Sequence, residues 1–562
     1  MSRLDWTVLS ATVLFIVGYG LWRTKKRQTL HAYLLDDKEA NWFTIAISIM
    51  ATQASAITFL SAPGQAYVDG MRFVQFYFGL PLAVIVLCAF VVPKYYQLNV
   101  FTAYEYLEKR FDLNTRLLTA ALFLLQRGLA AGFTIFAPSL ILSSILQWNI
   151  YLTNFLVGAL VVLYTVVGGA KAVSVTQKQQ MFVIFLGMLL AGVLIVDYLP
   201  TEVSFSSALQ IAGKMGKLKV VDFSLDWKTR YNVWSGLIGG FFLSLSYFGT
   251  DQSQVQRYLS GSSITQSRLG LIFNGMFKIP MQFLILFIGV MVYVFYLFYQ
   301  PPLFFNTQLI AQTKNSPLSS RIDALEKSYT EVFQQRRNIA FALSTAFQEK
   351  DTLSIAQHTA RLQQMEVEMQ RLRQVTSELI RENNQKTDTN DTNYIFLNFV
   401  RNYLPEGLVG LLVAVIIFAS MSSTSAELNA LASTSVIDFY KRIYNPNADE
   451  KHYVGASRFF TFFWGTYAII FAMFANRLGT LIEAVNILGS LVYGTILGIF
   501  MTAFFLPNAR AKATFWAAIL SEAIVVICYF FTEIPFLWFN AVGCVAVMLG
   551  AALFSSRTLK KA

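Results

Sequence analysis

The chain has 562 residues, 55% of them apolar and only 14% charged, with a mean hydropathy of +0.50. That excludes a soluble domain, and apolar runs of spanning length recur along the chain, which makes it a polytopic, all-α membrane protein. The net charge of +12 lies in short clusters beside apolar runs, where it anchors loops and does not point to nucleic acid.

In chain order, Leu4–Trp22 is the first apolar run. It lacks a basic n-region and a small-residue cleavage site, so it reads as a retained helix and not a signal peptide. Arg23, Lys25, Lys26 and Arg27 follow it and place its end in the cytoplasm, with the N-terminus outside. Further spans read at 41–63, 72–96, 115–147, 150–168, 178–199, 232–256 and 266–299. After a polar insertion come 404–437, 455–475, 480–506, 511–531 and 535–555. At about 20 residues per crossing that is roughly thirteen helices. Alternation puts Lys94, Lys109, Arg110, Lys171, Lys178, Lys441, Arg442, Lys451, Arg510, Lys512, Lys560 and Lys561 inside, so the C-terminus is expected in the cytoplasm. The outer loop 200–231 departs from the pattern, with Lys214, Lys217, Lys219, Lys228 and Arg230. A multi-pass protein of a cell (inner) membrane is expected. Its parts are a membrane domain over 1–299, an outer insertion over 300–393 and a second membrane part over 394–562.

The insertion differs in kind. Pro301 and Pro302 stop a helix, after which Ile322, Leu325, Tyr329, Val332, Arg336, Ile339 and Leu343 alternate in spacings of three and four. Leu362, Met365, Met369, Leu372, Thr376 and Leu379 do the same. Each set is a coiled-coil seam, and Asp351-Thr352 supplies a turn and cap between them. An antiparallel hairpin over 316–384 is expected, open to a partner or to self-association, with Thr387–Thr392 as a flexible return. A solvated, partly disordered loop is the alternative.

Two stretches do not read as lipid-facing helix. Ser48–Pro63, SIMATQASAITFLSAP, has a middle of small and hydroxylated residues, and Phe418–Ser433, FASMSSTSAELNALAS, is dense in hydroxyls. Small residues also suit a close helix crossing, and Ser and Thr can bond back to their own helix. Taken together, a loosened helix offers carbonyls and its partner offers hydroxyls, the neutral hard oxygens that a dehydrated sodium ion needs. Ser244–Arg257, with Gly249 and an intramembrane Asp251, suggests a third break, because a buried acid is costly unless it is functional or paired. The three cysteines lie in apolar runs and the three histidines are scattered, so neither a disulfide framework nor a metal cluster is expected. No phosphate-binding glycine loop or nucleophile elbow occurs, which argues against an enzyme.

On SIMATQASAITF, VVGGAKAV (166–173), FGTDQSQVQRYL (248–259) and ASMSSTSAELN followed by SVIDFY, the chain resembles the sodium:solute symporter family. The resemblance implies a core of two inverted five-helix repeats, here about 41–199 and 232–506, with solute and sodium bound at mid-membrane between broken helices. It implies a sodium ion held by the carbonyls of Ala51, Ala54 and Ala419 and the hydroxyls of Ser422 and Ser423. For the solute it implies Gln53, Ser55 and Thr58, with Asp251, Lys278 and Asn486 at positions like the polar contacts of glucose-type members. Ser253 stands where a glucose-type member has an aromatic gate, and FAPSLIL (136–142) is closer to the iodide, monocarboxylate and vitamin branch. Arg127 can fork onto a solute carboxylate, or else bond to helix carbonyls. Many members carry an aspartate where this chain has Gln177, and Ala426 replaces a serine, so a second-cation region around Gln177, Ser425 and Glu427 is thinned. Glu427 either restores that carboxylate or pairs with a cation such as Lys178. The leading expectation is a sodium-driven importer of a sugar acid, carboxylate or sugar. The alternative is a transporter-like receptor or scaffold that uses the hairpin.

Overall fold

The structure is a computed structural model describing all residues except 24–28, 36–37, 99, 227–228, 230, 386, 476–480 and 560–562. Lys25, Lys26, Arg27, Lys228, Arg230, Lys560 and Lys561 therefore lie outside the described residues. The architecture is helical throughout, and the strand-like pairing among the described residues is an isolated bridge between Ala40 and Gly261. Eight helices among the described residues are long and apolar enough to cross a membrane, with shorter apolar pieces at Trp42–Gln53 and Ser235–Gly249. The expectation of about thirteen crossings is not matched one for one. Several crossings are assembled from pieces, and one helix is long enough for two.

That long helix is Ile150–Asp197, 48 residues, or about 72 Å if straight. It is not straight. Gly169 sits at φ 59°, a conformation only glycine takes cheaply, and Tyr33 fills the space a Cβ would need. Beyond it the chain turns back, because the hydroxyls of Tyr164 and Thr176 meet at 2.6 Å although twelve residues apart. In a straight helix they would stand about 18 Å apart. The spans expected at 150–168 and 178–199 are thus two helical segments, divided by the turn at Gly169.

Two helices break in mid-course. Trp42–Gln53 begins on Asn41, whose side chain accepts from the Thr44 N–H at 2.9 Å, and ends at Ala54. Ser55 then opens Ala56–Asp69. The Ala54 N–H still reaches the Met50 carbonyl at 2.8 Å, which leaves the carbonyls from Ala51 onward without the helical donor that a longer helix would supply. Gly240–Gly249 stops in the same way, and Asp251 caps Gln252–Leu259 by accepting from the Ser253 N–H at 2.8 Å.

Leu408–Thr434 runs unbroken through the centre and continues into the wider turns of Ser435–Tyr444. Nearly every residue of it is buried, against helices including Leu113–Leu146, Ile150–Asp197 and Arg3–Arg23. Its start is capped from the N-terminal helix, where the Asp5 carboxylate accepts from the N–H groups of Gly407 and Gly410 at 2.7 and 3.0 Å. A Cβ on Gly410 would strike the Asp5 backbone, so the close approach requires glycine.

Ser319–Glu349 and Thr352–Asn383 form two packed helices joined at Lys350 and capped by Asp351, which accepts from the N–H groups of Leu353 and Ser354. Tyr329, Phe333, Met369 and Leu372 pack with Leu303 between them. Phe333 is buried where the spacing had Val332, a shift of one position along the seam. The pair is fastened to the membrane part. Arg336 donates to the Tyr296 carbonyl and to Glu366 at 3.1 Å, and Phe298 packs on Phe341. The 387–392 segment is not a loose return. Asp391 accepts from Arg373 at 2.8 Å and from the Phe305 N–H at 2.6 Å, which ties it both to the second hairpin helix and to the segment before the first.

Candidate functional site

The two breaks and the unbroken helix converge on a cavity of about 160 Å³. Gln53, Ser55, Thr58, Arg127, Lys278 and Asn486 all line it, together with Ser423 and Glu427. Of the seven residues singled out for solute contact, only Asp251 lies outside the lining, directly behind Arg127.

Arg127 sits on the long helix Leu113–Leu146, 3% exposed, and bonds to three partners from three other segments. Its Nη1 donates to Glu427 Oε1 at 2.9 Å, and its Nη2 donates to Asp251 and to the Tyr493 hydroxyl. Tyr493 in turn donates to Asp251 at 2.7 Å, and the guanidinium lies over the Tyr247 ring. Burying one cation with two acids and a phenol is favourable only because each lost hydration contact is replaced by a charge-assisted bond. This bears on two expectations. The guanidinium is already forked between two internal carboxylates, so it is not a bare receptor for a solute acid. Of the two readings of Glu427, the structure has the one in which it pairs with a nearby cation, and that cation is Arg127.

Lys278 is the other cation of the cavity. It is 3% exposed, lies over the Tyr77 ring at 5.4 Å, and has no carboxylate at ion-pair distance among the described residues. Gln53 and Gln126 each keep a buried amide oxygen without a partner. A lysine without an acid partner is met by an anionic group, and free amide oxygens by a donor such as a hydroxyl.

Beside the cavity, Gln177 joins three helices. Its Oε1 accepts from Ser48 at 2.6 Å, and its Nε2 donates to Ser422 at 3.0 Å and to Thr52 at 3.4 Å. One amide thereby holds the end of the 42–53 helix against the 408–434 helix at the level of Ala51 and Ser422. Ala51, Ala54, Ala419, Ser422 and Ser423 are all buried. Ser423 donates back to the Ala419 carbonyl at 3.0 Å, so those two oxygens already face each other. The set consists of neutral hard oxygens next to a broken helix end, the chemistry that fits sodium.

A family model described as "Sodium:solute symporter family" matches residues 33–317 and 376–521. The chain belongs to the sodium:solute symporter family. As a member it is a sodium-coupled solute symporter of the membrane and not an enzyme, and the receptor or scaffold alternative is not favoured. It is 25% identical over 512 residues to the "Sodium-dependent multivitamin transporter" of Oryctolagus cuniculus, covering 91% of this chain and 67% of that protein. It is 28% identical over 273 residues to "Sodium-coupled monocarboxylate transporter 2" of Mus musculus, covering 48% of this chain and 44% of that protein. The alignments thus span about two thirds of the first relative's length and under half of the second's. A solved structure titled "Substrate-bound outward-open state of a Na+-coupled sialic acid symporter reveals a novel Na+-site" superposes with a TM-score of 0.75 at 20% identity. That likeness covers 99% of this chain and 98% of the other, and it is one of fold.

Within this symporter the three residues of the second-cation region do not meet. Glu427 faces Arg127 and Thr134, whereas Ser425 bonds to Thr165 at 2.7 Å. Two positions along a helix differ by about 200° in direction, which separates them. Tyr493 and Thr134 were not singled out from the sequence. The only trace of Tyr493 is a lone phenol in the small-residue run GSLVYG.

Proposed function

We propose that this symporter imports a small monoanionic solute, of the short-chain carboxylate class, with one sodium ion per cycle. The observation that carries the reading is Lys278, a buried cation on the cavity wall with no acid partner among the described residues. Three further points support it. A cavity of about 160 Å³ is close to the ~150 Å³ of an engineered cavity that admits benzene, so it suits a handful of heavy atoms better than a sugar acid. The charges of Arg127, Lys278, Asp251 and Glu427 sum to zero, so one sodium and one monoanion leave a low-dielectric site neutral. One of the relatives is named as a monocarboxylate transporter.

Sodium is held by the carbonyls of Ala51, Ala54 and Ala419 and the hydroxyls of Ser422 and Ser423, and its binding favours the outward-open state. The solute carboxylate then docks on Lys278, while Gln53, Ser55, Thr58 and Asn486 take its remaining polar atoms. Arg127 with Asp251 forms the polar back wall. The repeats rock to face the cytoplasm once both are bound, driven by differential binding to the two states. The N-terminus faces outside and the C-terminus the cytoplasm of a cell (inner) membrane. Uptake of labelled propionate and lactate into proteoliposomes, with sodium or potassium outside, tests the reading. Sodium-dependent uptake blocked by Lys278→Met is expected. Transport of glucose but of neither acid would overturn it.

A further inference from the structure

The two carboxylates on Arg127 are not equivalent. Asp251 is committed to the backbone: its Oδ1 accepts from the Ser253 N–H at 2.8 Å and the Ser253 hydroxyl at 2.6 Å, while its Oδ2 takes Arg127 and Tyr493. It closes a helix break and lies off the cavity. Glu427 lines the cavity, one turn beyond Ser423 on the same face of the 408–434 helix. Beyond Arg127, its only partner among the described residues is the Thr134 hydroxyl, at 3.2 Å. Its carboxylate thus stands on the cavity side of the guanidinium, at the end of a flexible side chain, with little else to hold it.

We propose that Glu427 is a specificity-determining residue that acts as a tethered competitor. It takes the place on Arg127 that a second ligand carboxylate would take, and so restricts the cavity to solutes with one acidic group, docked at Lys278. This role rests on the cavity being the solute site. The physics is direct. A diacid reaching from Lys278 to Arg127 would bring its second carboxylate against Glu427, and two like charges on one guanidinium face in a dry site repel strongly. A neutral end, such as methyl or hydroxyl, meets no such cost. The guanidinium keeps its internal partner whether or not a solute is present, so Arg127 need not be left as an unpaired buried charge in the empty carrier.

Two measurements on the full chain test this. In Glu427→Ala the tether is removed and space is opened, so formate should bind to Arg127 in its place. Formate should then raise the melting temperature of purified Glu427→Ala saturably and by more than it does in the wild type, where Lys278 alone receives it. An equal response in both proteins, or none in a stably purified Glu427→Ala, overturns the proposal. The second measurement uses Glu427→Gln, which keeps the volume and removes the charge. The ratio of malonate to propionate potency as inhibitors of uptake should move by about tenfold towards malonate, and Glu427→Asp should retain the wild-type ratio. An unchanged ratio in Glu427→Gln, or an equal change in Glu427→Asp, would exclude charge as the cause. The formate response does not require transport, so Glu427's role can be judged even where neither acid proves to be the solute.

Discussion

Arg127 and Glu427 stand 300 positions apart in the chain and meet at 2.9 Å inside the membrane part, where Arg127 also holds Asp251. Removing the guanidinium therefore does more than delete a solute contact. Arg127→Ala leaves two acids buried without a counter-ion, and breaking such a pair costs roughly 3–5 kcal/mol. Arg127→Ala should accordingly show a large fall in melting temperature, and Arg127→Lys a smaller one, because lysine keeps the charge but not the fork. Combining Arg127→Ala with Asp251→Asn and Glu427→Gln should recover much of the stability. A stable Arg127→Ala that lacks only uptake would refute this structural role.

The sodium site gives a second test. Ser422→Ala with Ser423→Ala removes two oxygens from a small buried set that also contains the Ala51, Ala54 and Ala419 carbonyls. The sodium concentration for half-maximal uptake should rise at least tenfold, with protein level little changed. Ser422 also accepts from Gln177, so Ser422→Ala alone should perturb sodium affinity more than Ser423→Ala, whose hydroxyl bonds within its own helix. Equal, unaltered sodium curves for both single variants would remove the assignment.

The break at Ala54–Ser55 and the hydroxyl-rich helix were legible because small and polar residues within an apolar run make a poor surface for lipid and so belong in the protein interior. Lys278, Gln53 and Asn486 came through the family resemblance, and the cavity lining includes all three. What could not be read was pairing across the fold. Arg127, Asp251 and Glu427 are each a lone charge in a different stretch, and no local periodicity says that they share one point. Tyr493 is harder still, since a single phenol in an apolar helix more often faces a bilayer rim. The division of the apolar run between 150–168 and 178–199 was legible, and the turn at Gly169 falls at that boundary.

The inserted hairpin rests on Tyr296, Phe298 and Leu303 at the end of the 264–298 helix, and none of its residues lines the cavity. Replacing 319–383 by a short Gly/Ser bridge should therefore lower thermal stability, because it uncovers buried aromatics worth about 1.5–3 kcal/mol each and strands Asp391 from Arg373. Uptake per inserted molecule should remain within a few-fold of wild type. Abolished uptake in correctly inserted protein would make the hairpin part of the gate.

A pH dependence follows from Glu108, on the connecting helix Glu105–Arg110. Its carboxylate accepts from Arg442 at 2.6 Å and from Arg116 at 2.7 Å, and the bond from Arg442 first, then that from Arg116, holds its pKa below the usual 4.5 despite partial burial. A carboxylate with a lowered folded-state pKa contributes stability above its unfolded value and loses it as pH falls through the folded one. The wild type should thus lose melting temperature as the medium is acidified below about pH 4.5, and Glu108→Gln should start lower and lose less. Parallel curves for the two proteins would show that this network does not carry the acid limb.

The number of coupled ions turns on Gln177. It places a neutral amide between Ser48, Thr52 and Ser422, and its Nε2 donates to the hydroxyls of Thr52 and Ser422, which leaves Ser422 one lone pair for the single sodium ion proposed there. An amide N–H in that position disfavours a second cation, and among the described residues no carboxylate replaces it, since Glu427 is spent on Arg127 and Ser425 on Thr165. One sodium per cycle is the expected outcome. With a monoanion the loaded carrier then moves no net charge, so a potential of 100 mV, worth about 2.3 kcal/mol per charge, adds nothing to accumulation. Only the sodium gradient itself drives uptake. Gln177→Asp should reverse this: the carboxylate accepts where the amide donated, the hydroxyls of Ser48 and Thr52 turn towards a second cation, and transport becomes electrogenic. Reversal potentials in proteoliposomes should give a sodium-to-solute ratio of one for the wild type and move towards two for Gln177→Asp. A ratio of two in the wild type would sink the single-ion reading, and a Gln177→Asp that transports without current would show that the new carboxyl stays protonated through the cycle and carries no second ion.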